Sequence, residues 1–101
     1  TMKFSSYFIN CARGELVRDE ELADAVRSGK IAGAFTDVFN QEPPAPENSL
    51  LHTDDISVTP HMASNTEECM MRMATEAASQ IDLILRGEAP TWPVNKPILK
   101  K

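Results

Sequence analysis

Three residues of this chain would be chemically complementary if folding brought them together: Arg13, Glu42 and His61. A guanidinium is a permanently charged planar fork that holds a carboxylate through two hydrogen bonds and can polarise a neighbouring carbonyl oxygen. Glu42 is followed by Pro43 and Pro44, which restrict the backbone around it. A carboxylate hydrogen-bonded to an imidazole favours the protonated ring. His61, held by such a partner, becomes a proton donor near neutral pH. The chemistry implied is general acid catalysis on a carbonyl whose neighbour is an anion. Taken singly, each residue also fits a plainer role: an arginine after a strand is often solvated or salt-bridged, and a glutamate in a proline-rich loop is often simply exposed. The functional reading therefore depends on the elements that would position the three.

His61 stands in the stretch Ile56 to Glu67, where a β-branched run stops at Pro60 and a helix opens soon after. Parallel α/β sheets keep their chemistry at such junctions, in the crevice beyond the carboxyl ends of the strands. Two earlier junctions have a similar form. Tyr7 to Ala12 reads as a buried parallel strand interrupted only by Asn10, with Arg13-Gly14 as the turn after it. Ile31 to Phe39 reads as a second strand, and the small residues Ala32, Gly33 and Ala34 would let a helix or a ligand come close. The run Asn40 to Asn48 contains three prolines and should be a stiff loop crossing the sheet rim with Glu42 on it.

Between the first two strands, Asp19 is the expected N-cap of a helix of about three turns. Glu20 and Glu21 lie in its first turn, Leu22, Ala25 and Val26 on one face, and Gly29 at its C′ position. Ser49 to His52 suggests a short turn packing Leu50 and Leu51 beneath it. The third strand is Ile56 to Thr59. Ser64 with Glu67, or Asn65 with Glu68, matches a capping box. Met70, Met73, Ala74, Ala77, Ile81, Ile84 and Leu85 then repeat at helical spacing up to Gly87, a stripe expected to pack in a core. Ala89 to Lys101 has three prolines and no periodicity. The order β-α-β-loop-β-α predicts an α/β fold with a parallel sheet.

Composition narrows the function classes. Over 101 residues, 42% are hydrophobic and 25% charged, as in a globular domain. A net charge of −5 argues against nucleic acid as a partner, because phosphate binding needs clustered Lys and Arg, and here only Lys96, Lys100 and Lys101 crowd together. Cys11, Cys69, His52 and His61 fit no metal-ligand spacing, so no metal is expected. Neither a signal peptide nor an apolar run of bilayer-spanning length is visible. These features predict no membrane association and a cytoplasmic protein with buried, reduced thiols.

Four segments, FINCARGELV at 8 to 17, ELADAVRSGKIAGAFTDVF at 21 to 39, QEPP at 41 to 44 and VTPHMASNTEE at 58 to 68, resemble the D-isomer-specific 2-hydroxyacid dehydrogenases in the family's own order. That family includes phosphoglycerate dehydrogenases and glyoxylate or hydroxypyruvate reductases. The resemblance implies that Arg13 holds the substrate carboxylate, that Glu42 pairs with the histidine, and that His61 donates and accepts the proton. It further implies that Asp37 hydrogen-bonds the nicotinamide carboxamide, and that the backbone of Cys11, Ala12 and Arg13 and of His61, Met62, Ala63 and Ser64 lines the nicotinamide pocket. Asp37 lies inside the predicted second strand, which argues against an ordinary turn or cap role for it. Cys11 is expected to be a packing residue.

The family's G-x-G-x-x-G turn has no counterpart among the four glycines here, and no substrate domain is recognisable. The expectation is therefore the C-terminal half of a doubly wound Rossmann-type sheet, with three strands and two main helices. Residues 1–87 would belong to the NAD-binding domain and residues 88–101 to a tail returning to a substrate domain. Thr1 to Ser6 would be the end of a preceding helix and its loop, and Trp92 would either cap an active site or, the preferred reading given its large apolar area, anchor the tail. The cofactor would be NAD or NADP, and the reaction hydride transfer between nicotinamide and a small D-2-hydroxy acid or 2-keto acid. The remainder of the same enzyme would be a partner, and a homodimer the assembly. Alone, the chain should be inactive. The alternative is a non-catalytic module that senses NAD(H), as in corepressor relatives.

Overall fold

A computed structural model describes residues 1–96, and its contacts divide the chain into two compact units, Thr1–Ala63 and Ser64–Lys101. The expectation that a tail returns to a substrate domain falls partly on residues 97–101, outside the described part.

The first unit holds a parallel three-stranded sheet in the order β1 (Tyr7–Asn10), β2 (Gly33–Thr36), β3 (Ile56–Val58). All three strands are shorter than the apolar runs that predicted them: each run continues into the loop beyond the strand's end, and the second also begins two residues before β2. Helix α1 (Asp19–Arg27) joins β1 to β2 and buries Leu22, Ala23 and Val26 in a cluster with Ile31, Ala34, Phe39 and Leu50. No α-helix joins β2 to β3. The connection is the proline loop followed by a 3-10 turn at Ser49–Leu51, which buries Leu50 but leaves Leu51 on the surface. Asn48 caps that turn, its side chain accepting from Leu50 N at 2.9 Å.

Several local expectations need correction. Residues 1–6 form a turn, closed by Ser6 N donating to Lys3 O, with no helix. A 3-10 turn at Gly14–Leu16 precedes α1. The N-cap of α1 is Arg18, which offers no capping side chain, and Asp19 is instead the first helical residue. Of the small residues opening the second strand, Ala34 packs in the cluster with Leu22, Ala23 and Val26 of α1, as expected, whereas Gly33 faces neighbouring segments of the sheet. A Cβ at Gly33 would stand 2.6 Å from Asp55 O and 3.0 Å from the Tyr7 ring, so the space is needed by neighbouring segments of the same sheet. Cys11 is exposed and Cys69 partly so, and neither is a buried thiol.

The second unit is built on α2 (Glu67–Leu85), about 28 Å long at 1.5 Å per residue. Neither predicted capping box forms. Thr66 is the N-cap, its hydroxyl accepting from Cys69 N at 3.1 Å. The last turn closes as predicted, with Gly87 in the left-handed region just beyond it. The apolar stripe does not pack in a core: α2 has no buried residue, and Met70, Met73, Ile81, Ile84 and Leu85 are all more than half exposed. Helical spacing specifies an apolar face but not what covers it. Trp92 is likewise 69% exposed and anchors nothing by burial. After the helix, Thr91 N donates to Gln80 Oε1 at 2.6 Å, folding the chain back alongside α2. No helix among the described residues is long and apolar enough to cross a membrane.

Candidate active site

The sheet is in register across its carboxyl end. Asn10 pairs with Thr36, and Thr36 with Val58, so the three strands finish on one rung. The ladder carries on slightly further, with Asp37 N donating to Asn10 O at 3.0 Å and Thr59 N to Thr36 O at 3.1 Å. Every segment that leaves this end starts from a common rim. Arg13 follows β1, Glu42 follows β2 and His61 follows β3.

These three side chains line one cavity of about 220 Å³, together with Gly14, Glu15, Phe39 and Asn40. A larger, more apolar cavity of about 370 Å³ shares Phe39, Glu42 and His61 with it and adds Pro43, Pro44, Leu51, Val58, Thr59 and Pro60. The small cavity depends on Gly14. A Cβ there would fall 2.1 Å from both the carbonyl carbon and oxygen of Phe39, so only glycine lets the Arg13 turn press against the start of the Glu42 loop. The sequence marked Gly14 as a turn residue; its role in close approach became visible only in the fold.

His61 Nδ1 and Glu42 Oε2 are 2.6 Å apart. An ionised carboxylate only accepts, so Nδ1 carries the proton and Nε2 is left for another partner. Glu42 Oε1 accepts from Phe39 N at 3.2 Å. The bond from His61 and then that backbone donor hold the Glu42 carboxyl below its ordinary value. Both side chains stay partly open to solvent, at 51% for His61 and 37% for Glu42, so bulk water tempers their attraction.

The turn that carries His61 is held from below. His61 has φ +52°, a left-handed conformation uncommon for a residue with a side chain. Its N–H donates to Asp37 O at 2.8 Å. The Asp37 carboxylate, 2% exposed, takes Thr59 Oγ1 at 2.6 Å and Met62 N at 2.8 Å on Oδ1, and Ala63 N at 2.9 Å on Oδ2. Met62 N–H, then the Thr59 hydroxyl, then Ala63 N–H push its pKa down against the opposing effect of burial. Asp37 is thus the cap of a turn on another strand. It follows β2 instead of lying inside it, and the segment it caps lies more than twenty residues away in sequence, which no local pattern reveals.

Asn10 performs the same service beside Arg13. Its side chain donates to Arg13 O at 2.9 Å and accepts from Ala12 N at 3.1 Å. The residue that broke the apolar run of the first strand is the staple of the turn after it. Sequence reasoning passed over both Asn10 and Thr59. A polar residue at the last rung of an otherwise apolar strand was the available signal for Asn10. The Arg13 guanidinium itself is exposed and, among the described residues, donates only to Ala12 O, at 2.7 Å. Cys11, Ala12, Met62 and Ala63 are exposed on the two turns, and Ser64 opens the second unit.

Comparison with known proteins supplies the family. Residues 1–63 match the D-isomer specific 2-hydroxyacid dehydrogenase, NAD binding domain. The chain belongs to this family. Among curated relatives it is 46% identical to a glyoxylate reductase of Thermofilum pendens, over 98% of this chain and 29% of that protein. It is 43% identical to a D-3-phosphoglycerate dehydrogenase of Methanocaldococcus jannaschii, over 95% of this chain and 18% of that protein. A solved D-isomer specific 2-hydroxyacid dehydrogenase of Xanthobacter autotrophicus Py2, in complex with NADPH and MES, superimposes with a TM-score of 0.76 at 36% identity. That match covers 93% of this chain and 38% of the other. The chain therefore spans less than a third of the two curated relatives. The matched family segment coincides with the first compact unit, whose parallel sheet is a Rossmann-type fragment.

Proposed function

We propose that this chain supplies the nicotinamide side of the cofactor site in an NAD- or NADP-dependent reductase of small 2-keto acids, acting reversibly on the D-2-hydroxy acid. The observation that carries this reading is the cavity shared by Arg13, Glu42 and His61, with His61 Nδ1 on Glu42. Arg13 binds the substrate carboxylate and turns the keto group towards His61. His61, held by Glu42, delivers a proton from Nε2 to the oxygen at C2, and recovers it when the reaction runs backwards. A group of this kind contributes about 10²–10⁴ in rate.

The residues suit a nicotinamide in one testable respect. Among the described residues Asp37 Oδ2 has a single donor, Ala63 N, and so keeps lone-pair capacity for one more, such as a carboxamide N–H at the edge of the 61–63 turn. The backbone of Cys11 to Arg13 and of His61 to Ser64 would flank the ring. When bound, the nicotinamide supplies or accepts the hydride at C2. Residues 1–87 would belong to the cofactor domain, with residues 88–101 leading to the substrate domain. The remainder of the enzyme, a homodimeric assembly and a cytoplasmic setting complete the proposal. None of the relatives named above favours a corepressor-like sensor.

Full-length protein carrying this sequence should oxidise NADH or NADPH in the presence of glyoxylate or a related 2-keto acid, and the isolated chain should not. Absence of 2-keto-acid reduction by the full-length protein would overturn the enzyme reading. Tight NADH binding by the isolated chain would overturn the view that it holds only part of the site.

A further inference from the structure

The loop that carries Glu42 is fastened at both ends to one carboxylate on another element. Asn40 Nδ2 donates to Asp19 Oδ1 at 3.1 Å and to Val17 O at 2.8 Å. Asn48 Nδ2 donates to Asp19 Oδ2 at 2.9 Å. The next residue, Ser49, donates its hydroxyl to Glu20 Oε2, while Arg27 Nη1 approaches Glu20 Oε1 at 3.4 Å. The Ser49 bond and then Arg27 draw the Glu20 carboxyl below its ordinary value.

Asp19 opens α1, where a carboxylate is already favoured by the helix dipole. Its oxygens nevertheless go to the loop, and the helix is left with a cap, Arg18, that makes no side-chain capping bond. The segment between the two fastenings contains Pro43, Pro44 and Pro46, so little backbone freedom remains once its ends are fixed. Glu42 lies two residues past Asn40, and its own backbone donor, Phe39 N, immediately precedes Asn40. The Asp19 bonds therefore hold the backbone on both sides of Glu42.

We propose that Asp19, through Asn40 and Asn48, is a positioning residue for Glu42 and hence for the proton-transfer histidine, so that the start of α1 sets the geometry of the catalytic pair. The functional part of this inference rests on the reading of His61 and Glu42 as that pair. The structural part stands on the hydrogen bonds alone.

The test uses the whole 101-residue chain and nuclear magnetic resonance, so it does not depend on turnover. An imidazole Nδ1 proton bound to a carboxylate is shifted downfield, and its exchange with water slows in proportion to how fully that bond is formed. Asn48→Asp keeps the oxygen that accepts from Leu50 N but turns the donor facing Asp19 into a second acceptor. The expected result is an Nδ1 proton that exchanges about tenfold faster, comparable to the loss of one charge-assisted hydrogen bond. The Glu42 carboxyl should at the same time titrate nearer its ordinary value, and the amide signals of the three strands should stay in place. Combining Asp19→Asn with Asn48→Asp restores a donor facing an acceptor, and both signals should return towards the parent chain.

A folded Asn48→Asp variant with unchanged Nδ1 exchange and Glu42 titration would overturn the proposal, as would a swap that recovers neither. If Asn48→Asp unfolds the chain, Asn40→Ala applies the same test to the other fastening. A parent chain with no protected Nδ1 proton would remove the premise. A parent chain that shows it, within a full-length protein unable to reduce 2-keto acids, would sink the reductase reading and leave the positioning intact.

Discussion

His61 and Arg13 leave the same rim of the same sheet, three residues beyond strands that end on one rung, yet the protein treats them differently. The His61 side is built in advance. Its turn hangs from a buried carboxylate by three hydrogen bonds, and its imidazole already has its acid partner at 2.6 Å. The Arg13 side is organised only in its backbone, through Asn10, and its guanidinium turns back to the Ala12 carbonyl. Among the described residues no carboxylate pairs with Arg13. A proton donor must stand ready before the transition state forms, because a misplaced one contributes little. A group that receives an anion must reach it without an internal rival. One half of the proposed site is filled by its own chain, and in the other, among the described residues, the guanidinium meets nothing beyond its neighbour's carbonyl.

The largest effect expected from breaking that contrast is on turnover. His61→Ala in the full-length enzyme should lower kcat by about 10²–10⁴. Cofactor affinity should change little, because the Met62 and Ala63 donors to Asp37 are backbone groups. Steady-state kinetics with a separate NADH titration would check both, and a variant retaining most of its turnover would remove the proton-transfer role.

A second prediction attacks the support beneath His61. Asp37→Asn exchanges one acceptor oxygen for an amide that would face N–H and O–H donors in the 59–63 turn. The thermal midpoint should fall by an amount on the order of 10 °C, since hydrogen bonds to a buried charge are lost in a small domain. The pH dependence gives a sharper signature. Asp37 and Glu42 both have folded pKa values below their ordinary ones. The unfolded chain therefore binds more protons in that window. The stability they contribute is complete above the usual carboxylate range near about 4, and is lost as pH falls through the folded values. Asp37→Asn should flatten this acid limb, leaving the parts due to Glu42 and Glu20, whose carboxyl is likewise held below its ordinary value. A melting series whose variant and parent fall in parallel would show that Asp37 does not stabilise the turn through its charge.

The contrast also marks how far the sequence could be read. The common rim was legible because parallel strands with turn residues after them have few alternative arrangements. The Glu42–His61 pair was legible because an acid among prolines and a histidine after Pro60 both follow strands of that sheet. Asn10 and Asp37 were harder. Each acts on a turn through its side chain, and for Asp37 the partners lie on a different strand, so neither composition nor periodicity records the bond. Gly14 showed only its propensity, while its contact with Phe39 depends on tertiary placement. The caps were misread for a related reason. Asp19 has the right chemistry for an N-cap, but its oxygens go to Asn40 and Asn48, and the hydroxyl nearest the start of α2 belongs to Thr66. For the α2 stripe, spacing reported an apolar face and nothing about its cover.

The smallest predicted effect tests the open half. Arg13 is exposed and, among the described residues, satisfies only its neighbour's carbonyl, so Arg13→Ala should change the stability of the chain by no more than about 0.5 kcal/mol, the range of surface substitutions that break no special feature. The Arg13 turn should keep its shape, because Asn10 binds the backbone of residues 12 and 13 whatever side chain stands there. In the full-length enzyme the same substitution should raise KM for a 2-keto acid and lower kcat/KM, with the acid limb of the melting series unchanged. A marked loss of stability would mean that the guanidinium is already committed inside the fold. Its neutrality in folding, set beside its cost in substrate capture, is the difference expected between a residue kept free for a ligand and one that the chain has already satisfied.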